Sequence, residues 1–183
     1  MPLTPLRARK LEKMFSTLDL NGDGVIGRVD FLRRVEGFAR LRTWTSETPE
    51  YRRNVAYSLE EWRNLRETAD IDENGTISFE EYLRFGDVFL SDRDAVRAYA
   101  RGDVQLLFDA MDTDGDGKVT AAEYREYLEV CGVDTAGADI FFARADIDRD
   151  GRISRPEMAH AFEEFLISED PELRGSFPFG ALD

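Results

Sequence analysis

At 183 residues, 42% of them apolar and 13 of them Phe, the chain can bury a core and is not composed like a disordered segment. Its formal charge of −14 disfavours nucleic acid and anionic membrane as partners. Cys131 stands alone, which excludes an internal disulfide, and no apolar run approaches the roughly 20 residues of a membrane span. The opening Met1-Pro2-Leu3-Thr4-Pro5 is not a signal-peptide pattern, so a soluble, cytoplasmic, monomeric protein is expected. Of 24 Lys plus Arg only Lys10, Lys13 and Lys118 are lysine, a bias that fits a GC-rich, bacterial genome.

In chain order, Leu11, Met14, Phe15 and Leu18 recur at i, i+3, i+4 and i+7, the apolar stripe of a helix. That stripe runs into twelve residues with oxygen-bearing side chains at alternate places: Asp19, Asn21 and Asp23, then Gly24 at the sixth, Val25 at the seventh and Asp30 at the twelfth. Phe31 and Val35 resume the helical spacing. An insertion over 41–58, with Thr43, Thr45, Ser46, Thr48 and Pro49, predicts a loop followed by extra helical turns. Trp62, Leu65 and Ala69 precede a second twelve-residue loop of Asp70, Asp72, Asn74, Gly75, Thr76 and Glu81. Arg66 stands where the first stripe has Phe, and Tyr82 is followed by Gly86, so this second frame is the weakest. Ser91-Asp92-Arg93-Asp94 reads as a helix N-cap, predicting a connecting helix through 94–101.

Val104, Leu107, Phe108 and Met111 then lead to Asp112, Asp114, Asp116, Gly117, Lys118 and Glu123, followed by Tyr124 and Leu128. Ala138, Phe141, Phe142 and Ala145 lead to Asp146, Asp148, Asp150, Gly151, Arg152 and Glu157, followed by Met158 and Phe162. Pro156 falls in the first helical turn, where a missing N–H costs little. The segment after Leu166 carries Phe177, Phe179 and Leu182 among prolines and glycines, and reads as an apolar tail docked on the body.

A helix, twelve oxygen-rich residues with Gly at the sixth, and a second helix form the EF-hand pattern, here repeated four times. A hard cation such as Ca²⁺ takes about six to eight oxygens. Positions 1, 3 and 5 supply side-chain oxygens and position 12 a bidentate carboxylate. Position 7 supplies a backbone carbonyl, here that of Val25, Thr76, Lys118 or Arg152. Position 8 is β-branched throughout (Ile26, Ile77, Val119, Ile153), which predicts a two-residue antiparallel bridge between loops one and two and between three and four. The fold class expected is all-α, four EF-hands in two pairs forming a compact body. The expected division is an N-terminal pair over 1–90, a C-terminal pair over 91–168 and the tail over 169–183.

These features together resemble the sarcoplasmic calcium-binding protein family, including its calerythrin-like bacterial members. The likeness rests on four hands, the long interval of 51 residues between Gly24 and Gly75, Asp30 closing the first loop, and the apolar tail. It implies a compact body with the two pairs packed together, acting as an intracellular Ca²⁺ and Mg²⁺ buffer. The second loop, often degenerate in bacterial relatives, is complete here, so three or four ions are expected.

Loops three and four, each with four carboxylates, should bind Ca²⁺ with dissociation constants of about 10⁻⁸–10⁻⁶ M. Asp30 is a methylene shorter than Glu, and Gly27 leaves position 9 to water, so loop one should discriminate least against Mg²⁺. Met14, Met111 and Met158 are the internal methionines, too few for the Met-rich groove of a target-binding sensor, which is the rival reading. A luciferin-type carrier of an apolar ligand is the third. Light emission is disfavoured by the single His160, and no nucleophile–base pair, phosphate loop or zinc spacing supports catalysis.

Overall fold

Each acidic loop is entered and left by a helix whose apolar stripe faces inward. The computed structural model describes residues 4–168 and 170, except the side chains of residue 101 and residues 103–106, Val104 among them. The expected tail, apart from Asp170, lies outside the described residues. The order is α1 (Pro5–Leu18), β1 (Val25–Ile26), α2 (Arg28–Leu41), α3 (Pro49–Ala69), β2 (Ile77–Ser78), α4 (Phe79–Phe89), α5 (Arg93–Met111), β3 (Lys118–Val119), α6 (Ala121–Val130), α7 (Ala138–Ala145), β4 (Ile153–Ser154) and α8 (Arg155–Ile167). The strands pair antiparallel, Ile26 opposite Ile77 and Val119 opposite Ile153. All four of these position-8 side chains are fully buried. Hands one and two are thus joined, as are three and four, and the chain divides between Val88 and Phe89 into two units, one for each pair.

In the first unit, Leu11, Met14 and Phe15 of α1 and Phe31 and Val35 of α2 are buried. Phe15 meets Phe79 and Tyr82 edge to face at 5.2 and 5.6 Å. The insertion becomes a turn and the long helix α3, with Thr48 at its N-cap and Pro49 in its first turn. Helix α3 packs on α2, where Trp62 sits 5.7 Å from Phe31 and Arg34 pairs with Glu61.

The second hand, whose frame looked poorest, closes by a different device. Gly86 is where Leu11 enters: a Cβ built at Gly86 would lie 2.4 and 2.6 Å from the two Leu11 methyl carbons. A missing side chain on α4 is filled by a buried leucine from α1. Arg66 is exposed on the outer face of α3, with Trp62 and Ala69 carrying the inner one.

In the second unit the expected connecting helix and the helix entering loop three are one continuous helix, α5. Its N-cap is Asp92, whose carboxylate accepts from the amides of Asp94 and Ala95, each at 3.0 Å. Helix α5 packs along α8, and Arg97 reaches Glu163 at 2.8 Å. Leu107, Phe108, Met111, Tyr124, Leu128, Phe141, Phe142, Ala145, Met158 and Phe162 form the buried face of this unit. Burial of Phe108 alone contributes about 2–3 kcal/mol. Tyr124 stacks on Phe141 at 5.0 Å, and the Cys131 side chain is buried at the C-cap of α6. His160 is exposed.

Candidate metal centres

Each loop makes its turn with two left-handed residues. Gly24, Gly75, Gly117 and Gly151 at position 6 have φ between 83° and 87°, a conformation that a Cβ strains. The sixth-position amide then points inward and donates to the position-1 carboxylate, at 2.9–3.0 Å in every loop. Position 4 is also left-handed, by Gly22 and Gly115 in loops one and three but by Glu73 and Arg149 in loops two and four. The sequence pattern does not mark that requirement, because two of the four loops meet it without glycine.

The twelfth residue closes each loop on itself. In loop two, Glu81 accepts from the amides of Ile71 and Asp72 at the start of the loop, and from the amide and hydroxyl of Ser78 at its end. Glu157 repeats this with Ile147, Asp148 and Ser154. Glu123 accepts from both amide and hydroxyl of Thr113 at 2.7 and 2.6 Å and of Thr120 at 2.8 and 2.7 Å. Positions 9 and 12 are also the N-cap and N3 of a capping box, so the hydroxyls of Ser78, Thr120 and Ser154 help fix the carboxylate as they start the exiting helix.

These bonds set the acidity. The Ser78 hydroxyl and amide, against burial and aided by the amides of Asp72 and Ile71, hold Glu81 at about 2. Burial pushes Glu123 up, but the hydroxyls and amides of Thr113 and Thr120 outweigh it and hold that carboxyl at about 2. Burial likewise pushes Glu157 up, and Ser154, Asp148 and Ile147 outweigh it to leave it below the ordinary range. Loop one goes the other way. Burial raises Asp30, and the amides of Gly27 and Asn21 do not offset it, with the charges of Asp19 and Asp23 adding to the rise. Gly27 has no hydroxyl to give, and among the described residues Asp30 accepts from the amides of Asn21 at 3.1 Å and Gly27 at 2.8 Å.

Positions 1, 3 and 12 converge in three loops. Asp70, Asp72 and Glu81, then Asp112, Asp114 and Glu123, then Asp146, Asp148 and Glu157 each bring carboxylate oxygens within 4.8 Å of one another. Among the described residues Asp19, Asp23 and Asp30 form no such group, and Asp116 and Asp150 lie outside the groups of their own loops. Asn21 and Asn74 donate within their loops, to Asp23 at 2.8 Å and Asp72 at 2.9 Å. The carbonyl-bearing seventh residues Val25, Thr76, Lys118 and Arg152 lie at or beside the strand bridge.

The residues fit a hard dication. The donor set is entirely oxygen, it is anionic, and loop three holds a buried acceptor, Asp112 Oδ1, with no hydrogen-bond partner among the described residues. In the other loops that same oxygen is used internally: Asp19 by the amides of Gly22 and Asp23, Asp70 by that of Asn74, and Asp146 by that of Asp150.

Comparison with known proteins agrees with this geometry. The EF-hand domain pair family matches residues 8–85 and 103–163. Sarcoplasmic calcium-binding proteins I, III and IV of Branchiostoma lanceolatum are 30% identical over 115 residues, covering 61% of this chain and 62% of theirs. The luciferin-binding protein of Renilla reniformis is 27% identical over 173 residues, covering 92% of this chain and 91% of its own. A solved Streptomyces coelicolor calcium-binding protein, described in connection with prokaryotic calcium-mediated regulation, superimposes with a TM-score of 0.76 at 26% identity, covering 88% of this chain and 98% of that one.

Proposed function

The chain belongs to the EF-hand domain pair family, with the sarcoplasmic calcium-binding proteins among its relatives, and on that premise we propose that it is a Ca²⁺ buffer. It is a calcium-binding protein and not an enzyme. The match to the sarcoplasmic proteins spans 62% of their length, so their role comes to this chain only as part of the proposal. The ligands assigned are the side chains at positions 1, 3, 5 and 12 of each loop and the position-7 carbonyls. Loops three and four are the tight sites, with two, three and four taking Ca²⁺ and loop one the least selective against Mg²⁺. Among the described residues no helix is long and apolar enough to cross a membrane, and a monomer acting without nucleic acid or membrane is part of the same reading.

The observation that carries buffering over target binding is the place of the methionines. Met14, Met111 and Met158 are all buried within their units, the most accessible at 8%, so none contributes to an exposed adaptable groove. The rival, a sensor that engages a target when loaded, is favoured by the Streptomyces relative and its association with regulation. The luciferin-binding relative keeps an apolar-ligand carrier in view as the third.

Calorimetric Ca²⁺ titration in millimolar Mg²⁺, with a hydrophobic dye read in parallel, tests the reading. Buffering predicts three or four ions and a dye signal that falls on loading. A large rise in dye binding would overturn it in favour of the sensor.

A further inference from the structure

Position 7 carries a cation in both loops of the second unit, and each cation crosses to the other loop. Lys118 Nζ of loop three pairs with Asp150 Oδ2 of loop four, and Arg152 Nη1 of loop four pairs with Asp116 Oδ2 of loop three. The two pairs are reciprocal about the β3–β4 bridge, where Lys118 faces Ser154 and Val119 faces Ile153. Their targets are the position-5 carboxylates, whose other oxygens already accept the amides of Lys118 at 2.9 Å and Arg152 at 3.0 Å. These are also the two carboxylates that stand outside the groups formed by positions 1, 3 and 12.

Among the described residues the first unit has no such crossing. Val25 and Thr76 occupy position 7, and the position-5 side chains are engaged within their own loops, Asp23 by Asn21 at 2.8 Å and Asn74 by the Thr76 hydroxyl at 2.6 Å.

We infer that Lys118 and Arg152 are cross-loop counter-ions that set the affinity of the opposite site: Arg152 restrains ion entry into loop three, and Lys118 into loop four. They are positioning residues, acting on the ion through a ligand carboxylate that belongs to the other loop. Half-exposed ion pairs of this kind, with side chains 32–45% accessible, add little to stability. Their leverage is on the ion, because a unit charge beside a carboxylate ligand both competes for that oxygen and repels a dication. The same residue whose backbone carbonyl is assigned to its own loop therefore restrains the neighbouring one, which links the two sites without any movement of the helices.

The inference rests on loops three and four being ion sites. Its test is Ca²⁺ affinity in low salt with one loop disabled. In a Glu157→Gln background, which leaves loop three as the tight site of the unit, Arg152→Thr should raise loop-three affinity on the order of three- to tenfold. Lys118→Thr should raise it less than half as much. Glu123→Gln should give the mirror result for loop four. Threonine is chosen because Thr76 holds this position in loop two, whose following residue Ile77 still pairs with Ile26. The gain should shrink towards unity in molar salt, and Arg152→Lys should restore the restraint. If the disabling substitutions unfold the pair, the Lys118→Thr/Arg152→Thr variant of the otherwise native chain is measured instead, and its combined affinity should rise above the native value in low salt and converge on it in molar salt. Effects confined to each residue's own loop, or no effect, would overturn the inference while leaving calcium binding intact. Failure of the native chain to bind calcium would instead remove the functional reading beneath it.

Discussion

Replacing Thr113 with isoleucine, the residue that loops two and four carry at the same place as Ile71 and Ile147, removes one of four hydrogen bonds to Glu123 and no assigned ligand. Together those bonds lower the Glu123 carboxyl from 4.5 to about 2. At about 1.4 kcal/mol per pH unit this is on the order of 3 kcal/mol of stability in calcium-free protein at neutral pH. The Thr113 hydroxyl is the largest of the four lowering contributions, so its loss should cost about 1 kcal/mol. Because the folded carboxyl is the more acidic form, this stability is fully present above pH 4.5 and is lost as pH falls towards 2. The gap between native chain and Thr113→Ile should therefore be full at pH 6–7, persist below 4.5, shrink only as pH nears the folded value of about 2, and vanish below it. Urea unfolding of calcium-free protein followed by circular dichroism measures it, and Trp44 and Trp62, both in the first unit, provide an internal fluorescence control. A gap undiminished at pH 2 would show that Thr113 acts by packing and not through the carboxylate.

Asp30→Glu should sharpen the Ca²⁺ over Mg²⁺ preference of loop one, because the longer carboxylate reaches inward; competition titrations that show no change would refute this account. Gly86→Ala should destabilise the first unit by about 1–3 kcal/mol, since the new methyl lands on the buried Leu11 side chain. Combining it with Leu11→Ala should cost less than the sum of the two single changes in thermal unfolding.

The four loops, their helices and the pairing of one with two and three with four were legible in the sequence. Asp, Asn and Gly at fixed places and a β-branched eighth residue are local requirements of one repeated turn. Asp30 as the exceptional twelfth residue was equally legible, because a methylene is a difference of length that no context alters. What the sequence withheld depends on partners distant along the chain. Gly86 reads as a flaw in a helix until Leu11, 75 residues earlier, is seen to fill it. The hydroxyls of Thr113, Thr120 and Ser154 look like ordinary loop polarity until the twelfth carboxylate folds back between them. Lys118 and Arg152 read as backbone-carbonyl donors with incidental charge, and only the antiparallel bridge brings each to the other's Asp. Composition and spacing by themselves determined that this chain offers oxygen-lined turns to a cation. Tertiary structure decided how those turns differ, because which donor meets which carboxylate depends on contacts that short-range pattern does not encode.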